Sequence, residues 1–332
     1  MKKAEIPVID LHNDLLSYLS HQSGRSPKDP ISRSSYQQLS HGNVKLQTLA
    51  VFAKTGRNSV ENGQKQIDYF CKLTSQYPAL FAPCQFPLDA QKSIVHVIAA
   101  FENASAFASE EEPLSEAIQR LEKYRKEIGP IFYISLTWDE ENRFGGGNRT
   151  KIGLKEDGKR FVEWMNAKKI ALDLSHTSDK LANELLEFID QNALEIPVIA
   201  SHSNFRSISD YPRNLPDDLA KEIVRRNGLI GLNLFAPFIH KTDPLAILRH
   251  VEYGLELGAE NALCFGADFF CDADFSDSLK EKYQRSDAFY PEFNDSSVYP
   301  KLLELFSSKL KLKEKTLLKI ASQNALDFLM KK

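Results

Sequence analysis

The chain has 332 residues, 42% of them hydrophobic, and a formal net charge of −3, enough for a large core but without the basic stripe that a nucleic-acid footprint needs. No run approaches the roughly 18 apolar residues of a membrane span, and Met1-Lys2-Lys3-Ala4-Glu5 lacks the apolar continuation of a secretory leader. Cys71, Cys84, Cys264 and Cys271 show no CxxC spacing and are too few for a disulfide framework, so a reducing, cytoplasmic setting is expected.

Taken in chain order, short apolar or β-branched runs at 6–10, 44–52, 94–101, 131–137, 169–174, 196–201, 228–234 and 262–267 predict eight strands. Between them, 63–76, 115–127, 156–168, 178–191, 216–227 and 244–257 carry helical periodicity. Ser178-Asp179, Pro216-Asp217-Asp218 and Asp243-Pro244 supply helix starts. Alternation of strand and helix predicts a parallel sheet, and a count of eight predicts a closed (β/α)8 barrel of the TIM type. The polar, aromatic stretches 22–36 and 270–298 read as loops over one end, and 299–329 as two helical patterns packed outside the barrel. The lysines from Lys309 to Lys319, split by Glu314 and leucines, read as a solvated helix face. With no Pro/Gly/Ser linker, residues 1–332 form one expected domain.

Polar residues with metal-binding chemistry fall at the C-terminal ends of these strands, where parallel barrels build their sites. His12 and Asp14 are two apart in Asp10-Leu11-His12-Asn13-Asp14-Leu15, so an extended strand presents both on one face. Glu102 ends the third run, His176 the fifth, His202 the sixth and Asp268 the eighth. Any one of them alone reads as a strand-end cap or a hydrogen-bonded core histidine. Five of them, His12, Asp14, Glu102, His176 and His202, converging on one mouth read as ligands. Imidazole with carboxylate suits zinc, with manganese, iron or cobalt as alternatives. Five ligands exceed what one catalytic zinc ordinarily takes and fit two metals sharing a carboxylate.

The ordered pattern Asp10-x-His12-Asn13-Asp14, Glu102, Ser175-His176, Ser201-His202-Ser203, Arg213-Asn214-x-Pro216-Asp217 and Gly266-x-Asp268-Phe269 resembles the renal, or membrane, dipeptidase family. That family is a group of binuclear zinc barrels within the wider amidohydrolase-like set. The likeness runs from about residue 6 to 328 and includes Gly42 and Asn324-Ala325-Leu326. It implies a zinc-dependent dipeptidase with two Zn2+ per chain: His12 and Asp14 on one, His176 and His202 on the other, Glu102 bridging both. It further implies that a metal-bridging hydroxide attacks the peptide carbonyl, with Asp268 passing the proton to the leaving amine. Arg213, whose planar guanidinium suits a carboxylate, would take the free C-terminus of a small dipeptide. Homodimers are common in the family; no nucleic-acid or membrane partner is implied.

Two positions depart from the family pattern. Trp138, in Leu136-Thr137-Trp138-Asp139, stands where a histidine is usual and has one N–H donor and no charge. Phe235 stands where some relatives place a tyrosine. Both are expected to line the substrate pocket, and Trp138 keeps open other metal-dependent amidohydrolases, acting on N-acyl amino acids, lactams or lactones, and a catalytically silent metal-bound binding protein. Of the remaining histidines, His21, His41 and His96 read as surface or loop residues, His240 as a candidate at the mouth and His250 as structural.

Overall fold

The computed structural model describes residues 6–88, 93–274 and 287–331. The N-terminal pentapeptide and 275–286 of the expected loop at 270–298 lie outside the described residues. β1 (Val8–Asn13) is buried at every position, as a strand covered on both faces must be. It pairs in parallel with β2 (Val44–Phe52) on one side and β9 (Leu263–Phe265) on the other. β4 (Val95–Glu102), β5 (Ile131–Ser135), β6 (Ala171–Asp173), β7 (Val198–Ile199) and β8 (Ile230–Leu232) complete the order β7-β6-β5-β4-β2-β1-β9-β8. The ring closes where Ala200 N donates to Leu229 O and Gly231 N to Ala200 O, both at 2.8 Å. A (β/α)8 TIM-type barrel results, one parallel strand for each predicted run.

Closure depends on two glycines. A Cβ built on Gly231 or Gly266 would lie 1.8 or 1.9 Å from the carbonyl oxygen of Ser201, so no side chain fits where β8 and β9 approach the end of β7. Register then sets the level of the mouth. Phe52 lies beside Glu102, Glu102 beside Ser135, and Ser135 beside Asp173, so the strand ends form one polar layer.

Helices cover the barrel because their apolar residues recur every three to four positions. In the helix Asp179–Gln191, Leu181, Leu185 and Ile189 are buried, and Ser178 caps the start by accepting from Leu181 N at 3.0 Å. Truncating Leu185 to alanine would cost about 2–5 kcal/mol by the cavity it leaves. The helix Glu156–Lys168 has the predicted bounds.

Several short elements were not expected, the helix Ala236–Ile239 among them. The three-residue β3 (Phe81–Pro83) pairs beside the start of β4. The helix Leu15–His21 follows β1 directly, and Tyr36–His41 follows the irregular stretch at 22–36. The helix Asn324–Met330 also reaches further than a purely external position. Its Ala325 and Leu329 join Ile9, Leu11, Leu46 and Phe132 in the barrel's interior cluster, and the Tyr299 hydroxyl donates to the buried Asp10 carboxylate. Among the described residues, no helix is long and apolar enough to cross a membrane.

Candidate metal centre and substrate cavity

β1 delivers His12 inward and fully buried, and Asp14 begins the next helix with Oδ1 buried. Hydrogen bonds from Asp268 N to His12 O (3.2 Å) and from Asp14 N to Phe269 O (3.0 Å) stitch the ends of β1 and β9, placing Asp268 beside the pair. Asp268 Oδ1 is 3.7 Å from His12 Nε2. Glu102, ending β4, divides its oxygens: Oε2 lies 3.3 Å from His12 Nε2, while Oε1 lies 2.8 Å from His176 Nε2 and 3.8 Å from His202 Nε2. All six strand-end residues singled out in the sequence therefore meet in one place. His12, Glu102 and His202 form one group with donor atoms within 4.8 Å of one another, and His12, Asp14 and Asp268 another.

The backbone is strained at this layer. His176 and Asp268 hold φ of +69° and +64°, and Asn103, next to Glu102, holds +75°. Non-glycine residues rarely occupy that region, and such outliers gather where geometry serves a ligand or a reaction.

Hydrogen bonds behind the histidines fix which nitrogen faces the centre. Tyr133 has one hydroxyl proton and donates it to Leu11 O at 2.9 Å, so at 2.6 Å it accepts from His12 Nδ1–H. Ser201 likewise donates to Asp173 Oδ2 at 2.7 Å and accepts from His202 Nδ1–H at 2.6 Å. His202 Nε2 is left with a lone pair aimed into the cluster, and His12 Nε2 is the nitrogen that faces Glu102 and Asp268. Asp139 Oδ1 stands 3.6 Å from His176 Nδ1.

These residues fit metal ions. His12 Nε2, Asp14 Oδ1, His176 Nδ1 and His202 Nε2 are buried without hydrogen-bond partners. One orphan of this kind ordinarily costs about 1–3 kcal/mol, and three of these, all but the His176 Nδ1 that faces Asp139, lie in one cluster and call for a ligand. Charge points the same way. Burial and the neighbouring Glu102 charge push the Asp14 carboxyl well above its ordinary range. Asp268 is also raised, by burial first, with Glu102 adding and His12 opposing. Burial lowers His12, yet the Glu102 carboxylate outweighs it and lifts the imidazole to about 9, while burial and the cations around His202 hold that ring well below its usual value. Three crowded carboxylates and unpartnered imidazole nitrogens are a nitrogen–oxygen donor set for a divalent cation.

The cluster opens into a cavity of about 450 Å³, a size typical of small-molecule sites. Trp138, Arg213 and Phe235 all line it, as expected from the sequence. Arg213 is 4% exposed; its Nη1 donates to Ser203 Oγ at 2.6 Å and its Nη2 to His202 O at 3.2 Å, while Nε is unpartnered. No carboxylate among the described residues lies within ion-pair distance of it, and burial lowers its pKa. Phe235 packs edge-on to Phe238, with ring centroids 4.7 Å apart.

Other residues emerge only from the fold. Asn233 Nδ2 donates to Asp268 Oδ2 at 2.9 Å, Tyr133 orients His12, and Ser201, held by Asp173, orients His202. Lys54 and the exposed His21 also line the cavity. His96 lies within β4 rather than in a loop, toward the end opposite the cluster. His240 is not among the residues lining the cavity, and Arg206 turns outward to Asp179, with Nη1 at 2.6 Å from Oδ2. His250 is buried and satisfied, accepting from Phe205 N at 3.2 Å and lying 2.8 Å from Ile239 O.

Residues 3–331 match the sequence profile described as "Membrane dipeptidase (Peptidase family M19)". Dipeptidase aclJ of Aspergillus oryzae is 24% identical over 80% of this chain and 67% of its own. Dipeptidase 3 of Rattus norvegicus is 26% identical over 90% of this chain, which spans 60% of the rat protein's length. In fold, the chain is similar to a metallo peptidase from Rhodobacter sphaeroides solved with a phosphinate mimic of the dipeptide L-Ala-D-Ala. The TM-score is 0.81 at 19% identity, covering 98% of this chain and 99% of that one.

Proposed function

The chain belongs to the membrane dipeptidase family, peptidase family M19, and is a metallodipeptidase; we propose that it hydrolyses dipeptides anchored by their free carboxylate on Arg213, at a centre of two zinc ions. The observation that carries this reading is Arg213 itself: a buried guanidinium with no carboxylate partner among the described residues, opening into the same cavity as the cluster. A desolvated cation of this kind calls for an anion, and a guanidinium grips a carboxylate with two parallel hydrogen bonds.

His12 and Asp14 would hold one metal and His176 and His202 the other, with Glu102 between them. The division of Glu102's oxygens toward His12 on one side and His176 on the other supports the bridging role. When bound, two divalent cations supply Lewis acidity to the scissile carbonyl and acidify the attacking water. Asp268 is held by Asn233 through Oδ2, leaving Oδ1 toward the cluster. Oδ1 is therefore the atom that takes the water's proton and hands it to the departing amine. Buried beside the cluster and fixed through Oδ2 by Asn233, the carboxyl can hold that proton at Oδ1 between the two steps. Trp138 and Phe235 exclude water and wall the substrate.

Turnover of L-L and L-D dipeptides by zinc-loaded protein tests the reading. Activity is expected in the wild type and lost in Asp268→Asn. Arg213→Met should raise KM for dipeptides while leaving metal content intact. A panel with no turnover by protein shown to hold two metals would overturn the proposal and direct attention to N-acyl amino acids, lactams or lactones.

A further inference from the structure

We propose that Lys54 recognises a carboxylate on the side chain of the substrate's N-terminal residue, so that the enzyme selects dipeptides beginning with glutamate or aspartate; this rests on the dipeptidase reading above. Lys54 follows β2 by two residues and lines the cavity. Its ammonium sits 5.4 Å from the centroid of the Trp138 ring, and among the described residues no carboxylate lies within ion-pair distance of it. The other cation of that wall is already neutralised: Arg149 Nε is 3.1 Å from Asp139 Oδ2, and its Nη1 is 3.9 Å from Glu140 Oε1. Lys54 is thus a cation at the cavity edge that the protein itself does not pair.

Topology gives the direction. In the strand order, β2 and β7 lie four places apart in a ring of eight; Lys54 follows β2 by two residues and Arg213 is tied to the end of β7 through Ser203 Oγ and His202 O, so they stand on opposite sides of the mouth. The cluster, carried on β1, β4, β6, β7 and β9, lies between them. A dipeptide with its C-terminal carboxylate on Arg213 and its scissile carbonyl at the cluster must run its N-terminal residue toward the β2 side. Trp138 covers that path. Its ring centroid is 5.9 Å from that of His176 and 5.1 Å from that of Phe52, so the indole spans from a cluster ligand to Lys54. Methylene groups lie well on such a surface, and the ammonium at its far end suits a terminal negative charge.

Kinetics with the zinc-loaded enzyme on L-Glu-L-Ala, L-Gln-L-Ala and L-Lys-L-Ala test the proposal, since glutamate and glutamine differ in charge but hardly in size. Because Lys54 is exposed, the expected preference for Glu over Gln is modest, about fivefold in kcat/KM and carried by KM. It should shrink in about 0.5 M salt, as screening shortens the reach of an exposed charge. Lys54→Met should bring the ratio near one, and Lys54→Glu should invert it in favour of L-Lys-L-Ala. An unchanged ratio in Lys54→Met, or no charge preference in the wild type, overturns this proposal while the dipeptidase reading stands. Absence of turnover on all three overturns this proposal, and the dipeptidase reading falls with it only if the wider L-L and L-D panel is also not cleaved.

Discussion

At the mouth of the barrel His202 is fully buried with its Nε2 unpartnered, whereas behind the mouth, on the helix Ala246–Glu256, His250 is equally buried with both ring nitrogens engaged. Burial lowers the pKa of both rings. Depth and basicity therefore do not separate a candidate ligand from a structural histidine. What separates them is the lone pair left over once the protein has made its own hydrogen bonds. His202 spends Nδ1 on Ser201 and keeps Nε2 for the cluster; His250 keeps nothing.

The sharpest way to break the contrast is to remove what the leftover nitrogens converge on. Glu102→Gln keeps the shape of the cluster but deletes the charge that draws cations in. The expected loss of activity exceeds the roughly 10–100-fold typical of outer partners of metal ligands, and elemental analysis should find metal content well below two per chain. In metal-free protein two effects oppose, since the variant relieves the repulsion that pushes Asp14 up and loses the attraction that lifts His12, so a small change in melting temperature is expected. A drop in melting temperature with metal still bound would show Glu102 to be structural. His250→Gln should leave metal content untouched.

Strand ends carry the candidate ligands, and strand ends were legible. The runs at 94–101 and 262–267 become β4 and β9, so Glu102 and Asp268 could be placed at the mouth from spacing alone. The helix Leu15–His21 was hidden because Leu15, Leu16, Tyr18 and Leu19 continue the apolar run of β1 and blur the change of period. β3 was hidden by its brevity, three residues ending in Pro83. The positioning groups left no trace of another kind. Tyr133, Ser135, Asp173 and Ser201 come from three different strands and their ends, and what unites them is register across the barrel, which one-dimensional spacing does not carry. Lys54 was silent for the opposite reason: an exposed lysine after a strand is ordinary until the fold sets it above Trp138 and across from Arg213.

A smaller effect should follow from loosening the nitrogen rather than removing its target. Ser201→Ala deletes the acceptor that commits His202 to Nδ1–H, while Ser135 Oγ and the Ser175 backbone N–H still hold Asp173. The second tautomer then competes and covers Nε2 with a proton. Zinc affinity, measured by competition with a chelator, should weaken about 10–100-fold with little change in melting temperature. Tyr133→Phe should do the same for His12. An affinity unchanged in both variants would show that the metals themselves select the tautomer.

The effect furthest from the metal centre belongs to His250, and pH exposes it. Burial lowers its pKa from 6.5 to about 4 in the folded protein. Between those two values the unfolded chain binds a proton that the folded one refuses, so unfolding is favoured as pH falls. The ring's contribution is fully present above 6.5 and is lost as pH drops toward 4, about 3 kcal/mol in all at 1.36 kcal/mol per pKa unit. His250→Gln cannot titrate. At pH 7 it should be less stable by about 1–3 kcal/mol, because one of the two backbone partners, Phe205 N or Ile239 O, is left poorly met. Denaturant melts of the metal-free proteins from pH 7 to 4 should nonetheless show a shallower decline for the variant, with the two curves converging in acid. Parallel curves would mean that the acid sensitivity of the fold arises elsewhere, and that His250 and His202 differ in partners alone, with no consequence for how each region meets a proton.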